Sequence, residues 1–290
     1  MTTNTSTKLS NKAMLVNLNI SQWTARKYDR KVTKKIEDDF NTHDSGRFNK
    51  ILIAQEKIKG IQKVAGEARE YHYEQTLPWG DNGARILPAS NYMDYTSKIR
   101  EFKSQFESEV SIFLDNYPTF KEDAKQRLNG MFKEEDYPGY ADIVNKYNFS
   151  MSVLPMPDAE DFRVDLQGDE VSRIQHEIEL RVQEAQANAM KDLWDRLYEK
   201  VKRMADKLSD KKGIFRDTLV QNTIDLCNVL PRLNISNDQR LEEMRREVET
   251  KLCGFTPQEL RDNKHDRAEA AKDAQSILDS MAGYVGQKVA

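Results

Sequence analysis

From Ile174 to Leu208 the chain places apolar residues at three- and four-residue steps and their multiples: Ile174, Ile178, Ala185, Ala189, Leu193, Leu197, Val201, Met204 and Leu208. That period predicts a single helix over 170–210, starting at Asp169 and about 60 Å long at 1.5 Å per residue. No small globular core covers such a length. The stripe therefore needs a partner helix, either the Tyr95–Phe113 segment or a helix of another subunit. This one feature restricts the fold to long antiparallel helices or a coiled coil, and it predicts a homo-oligomer.

Most other segments are helical too. Tyr28, Val32, Ile36 and Phe40 recur every four residues, which predicts a helix to about Phe40, capped by Ser21. Phe48, Ile51, Ile58, Ile61, Val64, Ala68 and Tyr71 predict a second helix, ended by a loop at Pro78. Tyr95, Ile99, Phe102, Phe106, Val110 and Phe113 approach a heptad seam in a helix capped by Ser90 or Asn91 and ended or kinked by Pro118. Gly213 breaks the longest helix, and Pro231 ends the helix after it. Ser236 with Gln239, and Thr256 with Pro257 and Glu259, read as helix starts, and Gly254 as a stop between them. Period-two alternation appears only at 14–20, 149–154 and 162–166, which predicts one small three-stranded antiparallel sheet. The fold class is mainly α with a minor β part. Residues 1–12 read as a frayed polar tail, 13–255 as an elongated helical domain and 256–290 as a C-terminal helix.

Composition agrees with elongated helices: 38% of residues are hydrophobic and 32% charged, a large polar surface for each buried stripe. The net charge of −3 gives no global pull toward nucleic acid or an anionic membrane. No apolar run approaches a membrane span and no signal peptide opens the chain, so no membrane partner is expected. Cys227 and Cys253 read as reduced core thiols of a cytoplasmic protein, a disulfide being the alternative.

Motifs for chemistry are few. His43, His72, His176 and His265 are never three to five residues apart and no Cys-x-x-Cys occurs, so no metal site is expected. There is no phosphate-binding glycine motif and no nucleophile elbow, so no cofactor and no catalytic residue is assigned. Two stretches stand out. In 26–35, Arg26, Lys27, Arg30, Lys31, Lys34 and Lys35 stand against only Asp29, with Trp23 and Tyr28 nearby. On one helix, 27, 31, 34 and 35 would share a side and could follow a phosphate backbone; the alternative is a solvated face. In 70–92, "EYHYEQTLPWGDNGARILPASNY" collects Tyr71, His72, Tyr73, Glu74, Trp79, Asp81, Arg85 and Tyr92 around a long loop. Such residues anchor binding surfaces. They also fill buried corners, here with Leu77, Ile86 and Leu87 beneath them and Arg85 paired to Asp81 or Glu74.

"LVNLNISQWTARKYDRKVT", "YHYEQTLPWGDNGARILPASNY" and "MPDAEDFRVDL" together resemble an uncharacterised domain family of tailed phages and mobile elements, over about residues 10–255. The resemblance implies no activity and no site residues. Genes of that family often lie beside a MoxR/CobS-like AAA+ ATPase and a von Willebrand factor A-like protein. It therefore implies a phage accessory protein of the host cytoplasm that acts by self-assembly and protein binding, as adaptor or scaffold for an AAA+ ATPase. A nucleic-acid-binding protein using 26–35 is the second expectation. A small-ligand binder or enzyme with its site in 71–92 is the third.

Overall fold

In the computed structural model, which describes residues 8–80, 83–162, 164, 168–210 and 214–285, the long stripe forms one helix, α5, over Gly168–Ser209. Its cover comes from the end of the same chain. The helix α9 (Lys264–Val285) lies antiparallel along it. Trp194 of α5 stacks on Tyr284 of α9 at 4.9 Å and 13°. At the other end, the Arg267 guanidinium donates to the carbonyls of Lys207, Leu208 and Asp210 at 3.1, 3.1 and 2.6 Å. These are the last acceptors of α5, which a cation satisfies well. The cover of this stretch is thus neither of the two expected ones, Tyr95–Phe113 or a helix of another subunit, but a segment whose sequence is polar and alanine-rich. Ala270, Ala274, Ile277 and Met281 suffice, because small side chains let two backbones approach closely and each is fully buried.

The remaining helices are α1 (Arg30–Asp39), α2 (Lys59–Gln75), α3 (Tyr92–Leu128), α4 (Tyr140–Val144), α6 (Thr218–Leu233), α7 (Gln239–Leu252) and α8 (Pro257–Asp262). The strands are β1 (Ala13–Ser21), β2 (Arg26–Tyr28), β3 (Asn49–Ile51), β4 (Leu77–Pro78), β5 (Arg85–Pro88) and β6 (Asn148–Pro155). The fold is mainly helical with a minor β part. A four-stranded sheet runs β4-β5-β1-β6, and β2 and β3 form a separate pair.

The chain divides into two compact units. One holds the residues up to 17, 73–95 and 152 onward. Its core packs α5 from Ala185, α6, α7 and α9 with Leu15, Leu77 and Ile86 of the sheet. The other holds 18–72 and 96–151. Its core is a row of rings along α3: Phe102 meets Tyr71, Phe106 meets Phe149, and Phe113 meets Trp23 and Tyr147. The expected boundary at 255 is not where the chain divides, since α8 and α9 complete the first core.

Several local expectations are corrected. Of the strand expected at 162–166, Phe162 and Val164 are not in a sheet, and 163, 165 and 166 lie outside the described residues. The sheet is completed instead by β4 and β5, with Leu15 opposite Ile86 and Ile86 opposite Leu77 in antiparallel register. Residues 8–12 are not a frayed tail. Leu9 is buried, and Ser10 Oγ and Lys8 Nζ bond Asp158 at 2.9 and 3.4 Å. Pro231 lies inside α6 rather than ending it, and of the two expectations for Pro118, ending or kinking its helix, its place inside α3 removes the first. Around Pro118, burial of Phe113, Leu114, Tyr117 and Ala124 holds the helix on both sides of the missing donor. Asp238, not Ser236, caps α7, accepting from the amides of Arg240 and Leu241. The Asn91 side-chain amide donates to Gln75 Oε1 at 2.8 Å. The Thr256–Glu259 capping box with Pro257 forms as its spacing requires. Gly213 lies outside the described residues.

Candidate functional site

The aromatic stretch folds as the end of α2, a β-hairpin and the start of α3. Much of what reads as a long loop is the antiparallel pair β4 and β5, with Gly83, before β5, in the left-handed region at φ +82°. Leu77, Ile86 and Leu87 are fully buried, so the hairpin turns an apolar face to the core. Trp79 packs partly buried against that same core.

Its polar groups are tied down as well. Arg85 Nε donates to Thr76 Oγ1 at 2.7 Å and Nη2 to Thr76 O at 3.2 Å, while the guanidinium lies 4.7 Å from the centre of the Tyr73 ring. From α5, Arg196 donates to Glu74 O and Thr76 O at 3.2 and 2.9 Å and pairs with Asp192 at 2.7 Å. Arg196 thus satisfies a carbonyl in the last turn of α2, and both arginines hold Thr76 just after it. Burial, and next the neighbouring Arg196 charge, lower the Arg85 pKa, with Asp192 pulling the other way. Burial raises the Asp192 carboxyl above its ordinary range against the pull of both arginines. Arg85 is therefore held by Thr76 and Tyr73. Asp81 lies outside the described residues.

Tyr71 and His72 fall in the second unit, where His72 is buried and Tyr71 packs on Phe102. Tyr92 is half-buried, and Tyr73 and Glu74 are exposed. Sequence reasoning missed Thr76, Asp192 and Arg196. Only the i,i+4 spacing of Asp192 and Arg196 hinted at a pair, and nothing hinted that α5 would reach residues 74–76.

The basic stretch is not one helix. β1 runs through Ser21, Ala25 turns the backbone at φ 51°, and Arg26–Tyr28 form β2 against Asn49–Ile51. Asp29 is the helix cap, accepting from the amides of Lys31 and Val32 at 3.1 and 3.2 Å. An aspartate in extended geometry outcompetes Ser21 because it satisfies two otherwise orphan donors. Lys27 therefore does not share a face with Lys31, Lys34 and Lys35. Its ammonium pairs with Asp136 at 2.8 Å, and Arg26 bonds Gln55 at 3.2 Å. Arg30, Lys31, Lys34 and Lys35 remain exposed on α1 and, among the described residues, form no ion pair of 4 Å or less.

Beneath this surface lies a buried charge node. Lys50, 2% exposed, sits 2.5 Å from Asp136 and 3.6 Å from Asp29, and donates to Met131 O at 2.9 Å. Burial pushes the Asp136 pKa up, but the bonds from Lys27 and Lys50 outweigh it and hold the carboxyl below its ordinary range. The Val32 and Lys31 amides and Lys50 hold Asp29 low as well, against burial. Tyr137 donates to Leu52 O at 3.0 Å beside it.

His265, Asp266 and Glu269 place ligand atoms within 4.8 Å of one another at the start of α9, a grouping that sequence spacing of histidines does not reveal. They lie at the surface, where acidic groups commonly gather without a metal.

Compared with known proteins, the chain matches no protein-family model, no curated protein and no solved structure. Among the described residues, no helix is long and apolar enough to cross a membrane.

Proposed function

We propose that this chain works by binding, as a self-assembling adaptor or scaffold. The observation that carries the reading is the asymmetry of α5. From Ala185 to Leu208 its apolar stripe is buried within the chain, but no residue from 168 to 184 is. Val171, Ile174, Ile178 and Val182 continue the row only half-buried, Val182 with one side on the chain's own core, and Leu180 is 51% exposed. From Val171 to Val182, about 17 Å at 1.5 Å per residue, the helix thus offers an apolar row to a second copy, in the manner of a coiled-coil seam.

The test is light scattering with small-angle scattering on the wild type and on a variant carrying Ile174→Glu and Ile178→Glu. A defined wild-type oligomer that the variant dissolves, with its thermal unfolding unchanged, supports the reading. A wild type that stays monomeric at tens of micromolar removes it.

The resemblance to a phage domain family extends the proposal to an accessory protein of the host cytoplasm serving a MoxR/CobS-like AAA+ ATPase. Co-purification of tagged chain with such an ATPase, lost in the same variant, tests that extension.

A further inference from the structure

The exposed cations of α1 are not explained by the stability of their own helix. α1 has basic residues in its first two turns and Glu37, Asp38 and Asp39 in its last, with no acid in the first turn and no base in the last. A helix dipole favours the reverse arrangement, as does the weaker orientation of Lys preceding Asp by four residues. Segments that break a local rule in this way are where function is to be sought.

The surroundings supply the rest of a site. The Phe48 amide donates to Thr33 Oγ1 and the Asp29 amide to Phe48 O, both at 3.0 Å, which fixes the 47–48 segment beside the start of α1. Arg47 lies over the Tyr28 ring, 5.9 Å from its centre, and Tyr28 remains 45% exposed on the two-stranded β2–β3 pair. Arg30, Lys31, Lys34 and Lys35 span an arc of about 140° at 100° per residue. The nearest acid, Asp29, is spent on the helix cap and Lys50, and Glu37 accepts from the Asp44 amide at 3.1 Å.

From this juxtaposition we propose that the β2–α1 corner binds single-stranded nucleic acid without sequence preference. Phosphates lie along Arg30, Lys31, Lys34 and Lys35, Arg47 adds a fifth cation, and a base stacks on Tyr28. A flat exposed ring beside a cationic track suits unpaired bases rather than a closed duplex. The acidic last turn keeps the strand on the first two turns of α1. Lys27, locked to Asp136, takes no part.

The test is fluorescence anisotropy of the full chain with a labelled 20-nucleotide oligothymidylate. Five phosphate contacts at a slope of about −0.7 each predict an affinity about 130-fold weaker at 200 mM than at 50 mM salt. Combining Lys31→Ala, Lys34→Ala and Lys35→Ala should weaken binding at least about tenfold, and Tyr28→Ala about fivefold with Tyr28→Phe close to wild type. A control combining Lys63→Ala, Lys98→Ala and Lys103→Ala should stay within about twofold. Circular dichroism checks that the triple variant is folded; if it is not, Arg30→Gln and Lys34→Gln singly carry the same test, each with a smaller loss. Absent or salt-insensitive binding at 50 mM overturns the proposal, as do variants that bind like wild type. Equal or tighter binding of a 20-base-pair duplex overturns the single-strand assignment.

Discussion

Replacing Asp136 by asparagine should cost the second unit most of its stability. The substitution keeps the shape of the side chain and removes one charge. It leaves the Lys50 ammonium, 2% exposed, facing a neutral amide, with Asp29 at 3.6 Å as its remaining anion among the described residues and the Met131 carbonyl at 2.9 Å. Stranding one member of a buried pair typically costs about 3–5 kcal/mol, because the remaining charge has lost its compensation without regaining water. Lys50→Met should cost less. It removes the buried charge, fills similar volume and leaves Asp136 with Lys27 at 2.8 Å. The double variant should then lie near Lys50→Met, with a coupling of about 2 kcal/mol or more between the two sites. Urea unfolding followed by Trp23 fluorescence reads the unit concerned, in a background where Trp79 and Trp194 are phenylalanine, since both belong to the other unit. Asp136→Asn within about 1 kcal/mol of wild type would refute the reasoning. So would additive losses in the double variant, which would mean that shape and not charge is lost.

Other consequences can be checked directly. Asp29 and Asp136 have folded pKa values below their unfolded ones, so the stability they contribute is present at neutral pH. It is lost as pH falls below about 4 toward the folded values; urea midpoints from pH 6 to 3 should fall, and less so in Lys50→Met. Ile277→Ala, at a fully buried site on α9, should cost about 2–5 kcal/mol in melts followed by Trp194; a loss under about 0.5 kcal/mol would mean that α9 does not cover α5. Arg196→Met should take a donor from the Glu74 carbonyl and leave the Thr76 carbonyl with Arg85, costing about 1–3 kcal/mol, and hydrogen exchange over 77–88 should quicken; unchanged exchange would remove Arg196 as the hairpin's anchor. The Cys253 thiol is lowered by a hydrogen bond from Cys227, whereas Cys227 is raised by that contact and by burial. Alkylation at pH 8 should therefore mark Cys253 first, and the opposite order in peptide mapping would contradict the pairing.

Sequence by itself determined the elements whose signal is local and repeated. The stripe of α5, the ring row of α3, the alternation of β1 and β6 and the capping box at Thr256 each repeat or close within a few residues, and each folds accordingly. The aromatic and basic stretches were visible as compositions, but their roles were not. Tertiary structure decided that the first becomes a hairpin clamped by Arg196, more than a hundred positions away. It divided the second at Asp29, sending Lys27 to Asp136 and leaving Arg30, Lys31, Lys34 and Lys35 in solvent. It also chose α9 as the cover of α5, through four small or apolar residues in a polar segment. The physical reason is common to all three. A period reports which face of an element is apolar, whereas the partner for that face, and the counter-charge for a lysine, depend on surfaces brought together only when the chain closes on itself.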